Sequence, residues 1–173
     1  MRLADLLDRS EALEQRAAAV YRSFAVARRD DPVLAALWTA LAAEEDAHAR
    51  TVLEVRSRLS AGEGVATRIE GCEEALSEVA QRLRHAEDLG PDATADRQFA
   101  AALDLELSEL ETLRRLALEA SHSAAVPPPE DAHLRRLADA ALRRSRDDHV
   151  RLGAALLLAR ARLAADDRAA GRR

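Results

Sequence analysis

Residues 32–55 read PVLAALWTALAAEEDAHARTVLEV, and they carry the clearest helical pattern in the sequence. Its apolar residues recur in steps of three and four, which is the period of one face of an α-helix. They comprise Leu34, Trp38, Leu41, Val52 and Val55. Glu45 and His48 stand inside this apolar stripe, and residues at i and i+3 project from the same helix face. The stretch therefore predicts a long helix that turns a carboxylate and an imidazole toward its buried side.

Three other predicted helices also carry an ionisable residue among apolar neighbours near the middle of their length. These residues are Glu14, Glu106 and His149. An isolated buried charge costs on the order of several kcal/mol unless it is paired or binds a metal. Four helices that bury such groups at similar depth therefore need one another or a metal ion, and Glu45 with His48 can clamp one cation.

Helix boundaries follow from capping residues, glycines and prolines. Asp31-Pro32 is a start signal, because proline is favoured at the first helical position after a capping aspartate. Pro127-Pro128-Pro129 cannot be helical and predicts a stiff connector. The predicted helices span about 3–28, 32–59, 68–88, 93–121 and 130–165. The sequence thus predicts one all-α domain over residues 1–173, with four main helices and a shorter one in the connection between its halves.

Several of these residues resemble the rubrerythrin branch of the ferritin-like superfamily. The resemblance rests on Glu14 with Tyr21, on the pair Glu45 and His48, on the run Ala102-Leu103-Asp104-Leu105-Glu106, and on His149. It implies a ferritin-like four-helix bundle made of two antiparallel helix hairpins. It also implies metal ligands at Glu14, Glu45, His48, Glu106 and His149, with Glu109 as an additional acidic position. Tyr21 is interpreted as a hydrogen-bond donor to a carboxylate, with a plain interface residue as the alternative.

Arg146 departs from the family pattern, which has a glutamate at this position. Three glutamates with one arginine leave a negative charge that suits a single divalent ion. We expect the Arg146 guanidinium to replace a second ion by pairing with carboxylates. Glu and His ligands suit iron, manganese and zinc alike, so the expected cofactor is one such ion or none.

The predicted function is a rubrerythrin-like metal-binding bundle with an altered di-metal site, at most one ion, and redox chemistry linked to peroxide or oxygen. Such a protein, if active, is a non-haem metal oxidoreductase, and the sequence names no substrate. The alternative is a metal-free protein with a structural or protein-interaction role, in which Arg146 and the glutamates form a buried ionic network.

Composition limits the partners. The net charge is -5 with no separate basic face, which argues against nucleic acid as a partner. The single cysteine, Cys72, and the lack of a signal-peptide or membrane-span pattern predict a cytoplasmic protein that does not bind membranes. A homodimer is expected from the family resemblance. Glu44 is expected to be solvated, and His133 to cap a helix end.

Overall fold

The computed structural model describes residues 1–59, 69–90, 92–108 and 132–170, and these residues form six α-helices. The helices are α1 (Leu3–Ala27), α2 (Pro32–Leu59), α3 (Cys72–Glu87), α4 (Ala95–Glu106), α5 (Ala132–Arg144) and α6 (Asp148–Ala170). The predicted all-α class is confirmed. Within the described part of the chain, no helix is both long and apolar enough to cross a membrane.

Helices α1 and α2 form an antiparallel hairpin with the predicted boundaries. The Asp31 carboxylate accepts the backbone N–H of Leu34 at 3.1 Å, so Asp31 caps α2 in front of Pro32. Ion pairs show the direction of the two helices, because Asp8 near the start of α1 meets Arg56 near the end of α2 at 2.9 Å. This hairpin has the most extensive interhelical contact among the described helices.

The core contains a compact aromatic cluster. It consists of Tyr21, Phe24, Trp38 and Phe99, which are all of the aromatic residues in the chain. The Trp38 ring stacks on Tyr21 with centroids 6.0 Å apart and lies 5.3 Å from both Phe24 and Phe99. Because these residues come from α1, α2 and α4, the cluster fixes the three helices against one another.

Helix α3 lies along α1 and runs in the same direction. The amino group of Met1 donates to the Ile69 carbonyl at 3.0 Å, and Arg16 pairs with Glu87 at 2.8 Å near the far end of α3. The predicted helix at 68–88 therefore exists, but it begins only at Cys72. Gly71 just before it has φ +76, a left-handed conformation that glycine adopts without strain and that is incompatible with the helix.

Helix α4 begins after the Thr94 cap and ends at Glu106, whereas the prediction continued the helix to residue 121. The N–H of Ser108 turns back to the Leu105 carbonyl at 3.0 Å, which tightens the last turn. The Arg160 guanidinium from α6 donates to the backbone carbonyl of Glu106 at 3.4 Å and to those of Leu107 and Ser108. Residues 109–121 and the proline connector lie outside the described residues.

The predicted single helix at 130–165 is wrong, because the chain leaves the helix at residues 145–147. The Asp147 carboxylate accepts the N–H groups of His149 at 2.9 Å and Val150 at 3.2 Å, so Asp147 caps a new helix, α6. The Ser145 hydroxyl accepts the N–H of Asp147 at 3.1 Å. These local bonds satisfy backbone groups that a continuous helix would have paired internally.

Helix α5 runs antiparallel to α2. Arg144 at its end pairs with Asp31 at the start of α2, and His133 at its beginning lies beside Glu44 farther along α2. Helix α6 turns back from α5 and packs on α4, where Gly153 allows close approach to Leu103. As a result α1, α2, α4 and α5 all contribute side chains to one buried cluster.

Candidate metal centre

Among the residues that the structure describes, five side chains from four helices meet inside the protein. They are Glu14 from α1, Glu45 and His48 from α2, Glu106 from α4 and His133 from α5. The three glutamates and His133 are buried, and His48 is partly exposed. The α1–α2 hairpin brings the first three together, while the last residue of α4 and the first turn of α5 supply the other two. The five residues form two overlapping groups of potential metal ligands.

The first group consists of Glu14, Glu45 and His48, whose ligand atoms lie within 4.8 Å of one another. His48 Nδ1 is 3.0 Å from Glu45 Oε2 and 3.8 Å from Glu14 Oε2. Glu14 is only 1% exposed, and its Oε2 has no hydrogen-bond partner in the described part of the protein. Such an oxygen is costly unless a cation or a donor reaches it.

The second group consists of Glu45, Glu106 and His133, with the same 4.8 Å limit. His133 Nε2 lies 3.5 Å from Glu106 Oε2. Glu45 belongs to both groups, and the rings of His48 and His133 have their centroids 5.3 Å apart. A carboxylate between two imidazoles can contribute a ligand oxygen to each of two neighbouring ions.

Burial and crowding of the carboxylates shift the pKa values of this cluster. Burial, together with the neighbouring Glu14, raises the pKa of Glu45 from 4.5 to about 7, although its bond to His48 acts in the opposite direction. For His133, burial lowers the pKa, but the hydrogen bond and charge of Glu106 outweigh burial, so the net shift is upward. Without a metal, the cluster therefore favours bound protons on Glu45 and His133.

Tyr21 lies beside the second group, as a donor to a carboxylate. Its hydroxyl donates to Glu106 Oε1 at 2.7 Å, and both groups are buried. Burial raises the pKa of Tyr21 well above its usual value, and the charge of Glu106 adds to this shift. The phenol therefore keeps its proton and holds one Glu106 oxygen in place, which leaves the other oxygen toward His133.

The structure brings together four of the predicted ligands, namely Glu14, Glu45, His48 and Glu106. It does not bring His149 to them, and the expectation that this residue points inward is wrong. His149 lies exposed in the first turn of α6, because the break at residues 145–147 ends α5 before it. Arg146 falls within the break and is also exposed. Glu109 lies outside the described residues.

The exposure of Arg146 removes the basis of the charge argument for a single ion. That argument counted an arginine among the glutamates of the cluster. The described groups instead contain three carboxylates and two imidazoles without a guanidinium.

Sequence reasoning missed His133, which was expected to cap a helix end. The structure buries it, with 4% of its surface exposed, within the cluster. A signal for it exists, because Glu130-Asp131-Ala132-His133 repeats the four letters of Glu45-Asp46-Ala47-His48. The repeat puts a second Glu-x-x-His pattern at the start of α5 rather than in α6. Glu130 itself lies outside the described residues.

Comparisons with known proteins add no relative: no family model, no curated protein and no solved structure matches the chain.

Proposed function

We propose that this protein binds two divalent metal ions that share the Glu45 carboxylate, in a ferritin-like arrangement of α1, α2, α4 and α5. In this proposal Glu14 and His48 complete one site, and Glu106 and His133 complete the other. One Glu from each of two helices, with histidines from the other two, is the ligand distribution of di-metal carboxylate bundles. The proposal replaces the single ion expected from sequence.

The observation that carries the proposal is the state of the carboxylates. Glu14 Oε2 is buried with no hydrogen-bond partner among the described residues, and it lies 3.8 Å from His48 Nδ1. Glu45 is crowded enough by burial and by Glu14 that its pKa rises to about 7. A divalent ion would relieve both conditions, since it supplies positive charge to buried oxygens and displaces protons from its ligands.

The reaction class follows from the resemblance to rubrerythrins, and we propose reduction of a peroxide or of oxygen. Carboxylate and imidazole ligands suit iron, manganese and zinc. Two bound iron or manganese ions would supply the two electrons, one each, and an external electron donor would then reduce them again. Because the glutamates are buried, only small molecules can reach the cluster, and bulk water is excluded from it. The Tyr21 hydroxyl keeps its proton and donates it in a hydrogen bond to Glu106, because burial raises the pKa of Tyr21 well above its usual value.

A metal-free interaction module is the competing function, and one observation favours it. Several ligand atoms already have partners within the protein, because Tyr21 donates to Glu106 and His48 Nδ1 lies 3.0 Å from Glu45. A protonated Glu45 and a charged His133 would complete a polar network without any ion.

Element analysis separates the two functions. The protein is purified without chelator and then titrated with Mn²⁺ or Co²⁺, and we expect about two ions per chain. Glu45→Gln should weaken the binding of both ions because both sites share this oxygen donor. Glu54→Gln on the same helix is the matched control, since Glu54 is 70% exposed. A wild-type protein that binds no ion at millimolar concentration would contradict the proposal.

A further inference from the structure

We infer that Glu44, held by Arg136, is a positioning residue that orients His133 toward the metal cluster. Glu44 is not a member of either ligand group. Its contact with His133 stands on the structure alone, and its effect on metal binding rests on the proposed function. The expectation that Glu44 is simply solvated does not account for its contacts.

The His133 ring lies between two carboxylates. Its Nε2 is 3.5 Å from Glu106 Oε2 in the cluster, and its Nδ1 is 3.8 Å from Glu44 Oε2 on the opposite side. Glu44 Oε2 is buried and has no hydrogen bond in the described part of the chain, whereas Glu44 Oε1 pairs with Arg136. The unsatisfied oxygen therefore faces the imidazole nitrogen that points away from the cluster.

Helix geometry explains why two adjacent glutamates serve different purposes. Consecutive residues on α2 diverge by about 100°, so Glu45 points into the cluster while Glu44 reaches toward α5. On α5, Arg136 follows His133 by one turn and lies on the same face. Helix α5 thus presents both an imidazole and a guanidinium to the single carboxylate of Glu44.

This arrangement places a carboxylate beside each ring nitrogen of His133, with Glu106 of the cluster at Nε2 and Glu44 at Nδ1. When an ion takes the place of the proton at Nε2, the neutral imidazole keeps its one proton on Nδ1, where the Glu44 carboxylate favours it. The Nε2 lone pair then points toward Glu45 and Glu106. Arg136 keeps the Glu44 side chain from rotating into solvent, because the guanidinium is paired with its other oxygen. Partners of this kind change metal affinity by about 10- to 100-fold.

Nitrogen NMR of the metal-free protein, with ¹⁵N-labelled histidine, tests the contact directly. The His133 signals are assigned by their loss in His133→Asn. Glu44→Gln should shift the Nδ1 resonance of His133 more than the Nε2 resonance, and Glu106→Gln should do the reverse. Glu54→Gln should shift neither. An unchanged Nδ1 resonance in Glu44→Gln overturns the inference, whatever metal the protein binds.

Titration with Co²⁺ tests the consequence. Glu44→Gln should weaken one of the two binding steps by about 10- to 100-fold and leave the other within about twofold. Arg136→Gln should produce a smaller loss at the same step, and Glu54→Gln none. Equal affinities in Glu44→Gln and wild type overturn the positioning role. If wild type binds no Co²⁺, the proposed function fails, and the Nδ1 resonance alone decides whether Glu44 orients His133.

Discussion

The α1–α2 hairpin and the α5–α6 region were predicted by the same helical period, yet only the hairpin has the predicted form. In α2, the polar run at Glu44-Glu45-Asp46 is short, and apolar residues flank it at helical spacing. Between Leu142 and Val150, seven consecutive residues are polar. A continuous amphipathic helix would have needed an apolar residue there every three or four positions.

The difference shows that a buried polar pair is informative only within an unbroken apolar stripe. Glu45 and His48 satisfy this condition, and the structure places them in the cluster. His149 is the last residue of the seven-residue polar run, and it is exposed. His133 begins a helix whose apolar positions continue through Leu134, Leu137 and Ala141, and it is buried.

Separate substitutions of His133 and His149 should give the largest effect, and they test whether α5 and α6 are two helices or the predicted single helix. His133→Asn removes a proposed ligand, so we expect one ion to be lost or weakened by more than about 100-fold, a larger effect than that of outer partners. His149→Asn is the control and should leave both ions bound, because His149 lies exposed in the first turn of α6. Isothermal titration with Mn²⁺ measures both variants. Loss of an ion in His149→Asn alone would favour the single helix.

The repeated Glu-Asp-Ala-His pattern gives a second test of whether the start of α5 contributes ligands to the cluster. If Glu130 serves His133 as Glu45 serves His48, Glu130→Gln should weaken one ion by about 100-fold, or about 2.7 kcal/mol. Glu78→Gln on α3 is a control, because Glu78 is half exposed and pairs with Arg82 outside the cluster. The same Mn²⁺ titration applies. Equal affinity in Glu130→Gln and wild type would mean that the repeat is a coincidence of sequence.

A third test uses the stability of the metal-free protein as a function of pH. The folded-state pKa of Glu45 is raised from 4.5 to about 7, so the folded protein binds the proton more tightly than the unfolded chain does. The raised pKa of His133 acts in the same direction. Stability should therefore fall as the pH rises from about 5.5 to 8, by about 2 kcal/mol from Glu45 alone.

Urea unfolding in the presence of chelator measures this dependence, and Glu45→Gln is the comparison. Ion pairs at the surface lower the pKa values of Asp5, Glu73 and Glu87, so their contributions lie below this pH window. We expect a flatter profile in Glu45→Gln. A wild-type stability that rises between pH 5.5 and 8 would mean that Glu45 is not buried in a negative environment.

Sequence alone predicted the all-α class, the bounds of the α1–α2 hairpin and four of the five side chains that cluster within the described part of the chain. It predicted them because periodicity and caps such as Asp31-Pro32 act locally. The end of α4 was not predictable in this way, since Arg160 from a distant helix donates to the carbonyl of Glu106 and to those of the two residues after it. His133 was missed because its role depends on Glu44, Glu45 and Glu106, which come from two other helices.

The break before α6 gives the prediction with the smallest expected change in stability. The direction of this change nevertheless distinguishes two helices from one. Asp147 accepts two backbone N–H groups of α6, so Asp147→Ala should lower the free energy of unfolding by about 1 kcal/mol through the loss of this cap. In a continuous helix from 130 to 165, the same substitution would raise stability, because alanine is the better helix former.

Chemical denaturation of Asp147→Ala beside Asp148→Ala measures this sign. Asp148 lies in the first turn of α6, where its charge favours the helix terminus by only about 0.3–1 kcal/mol. The cap residue should therefore be the more costly of the two adjacent aspartates. If both variants were more stable than wild type, α5 and α6 would be one helix in solution, and His149 would again be a candidate for the buried face.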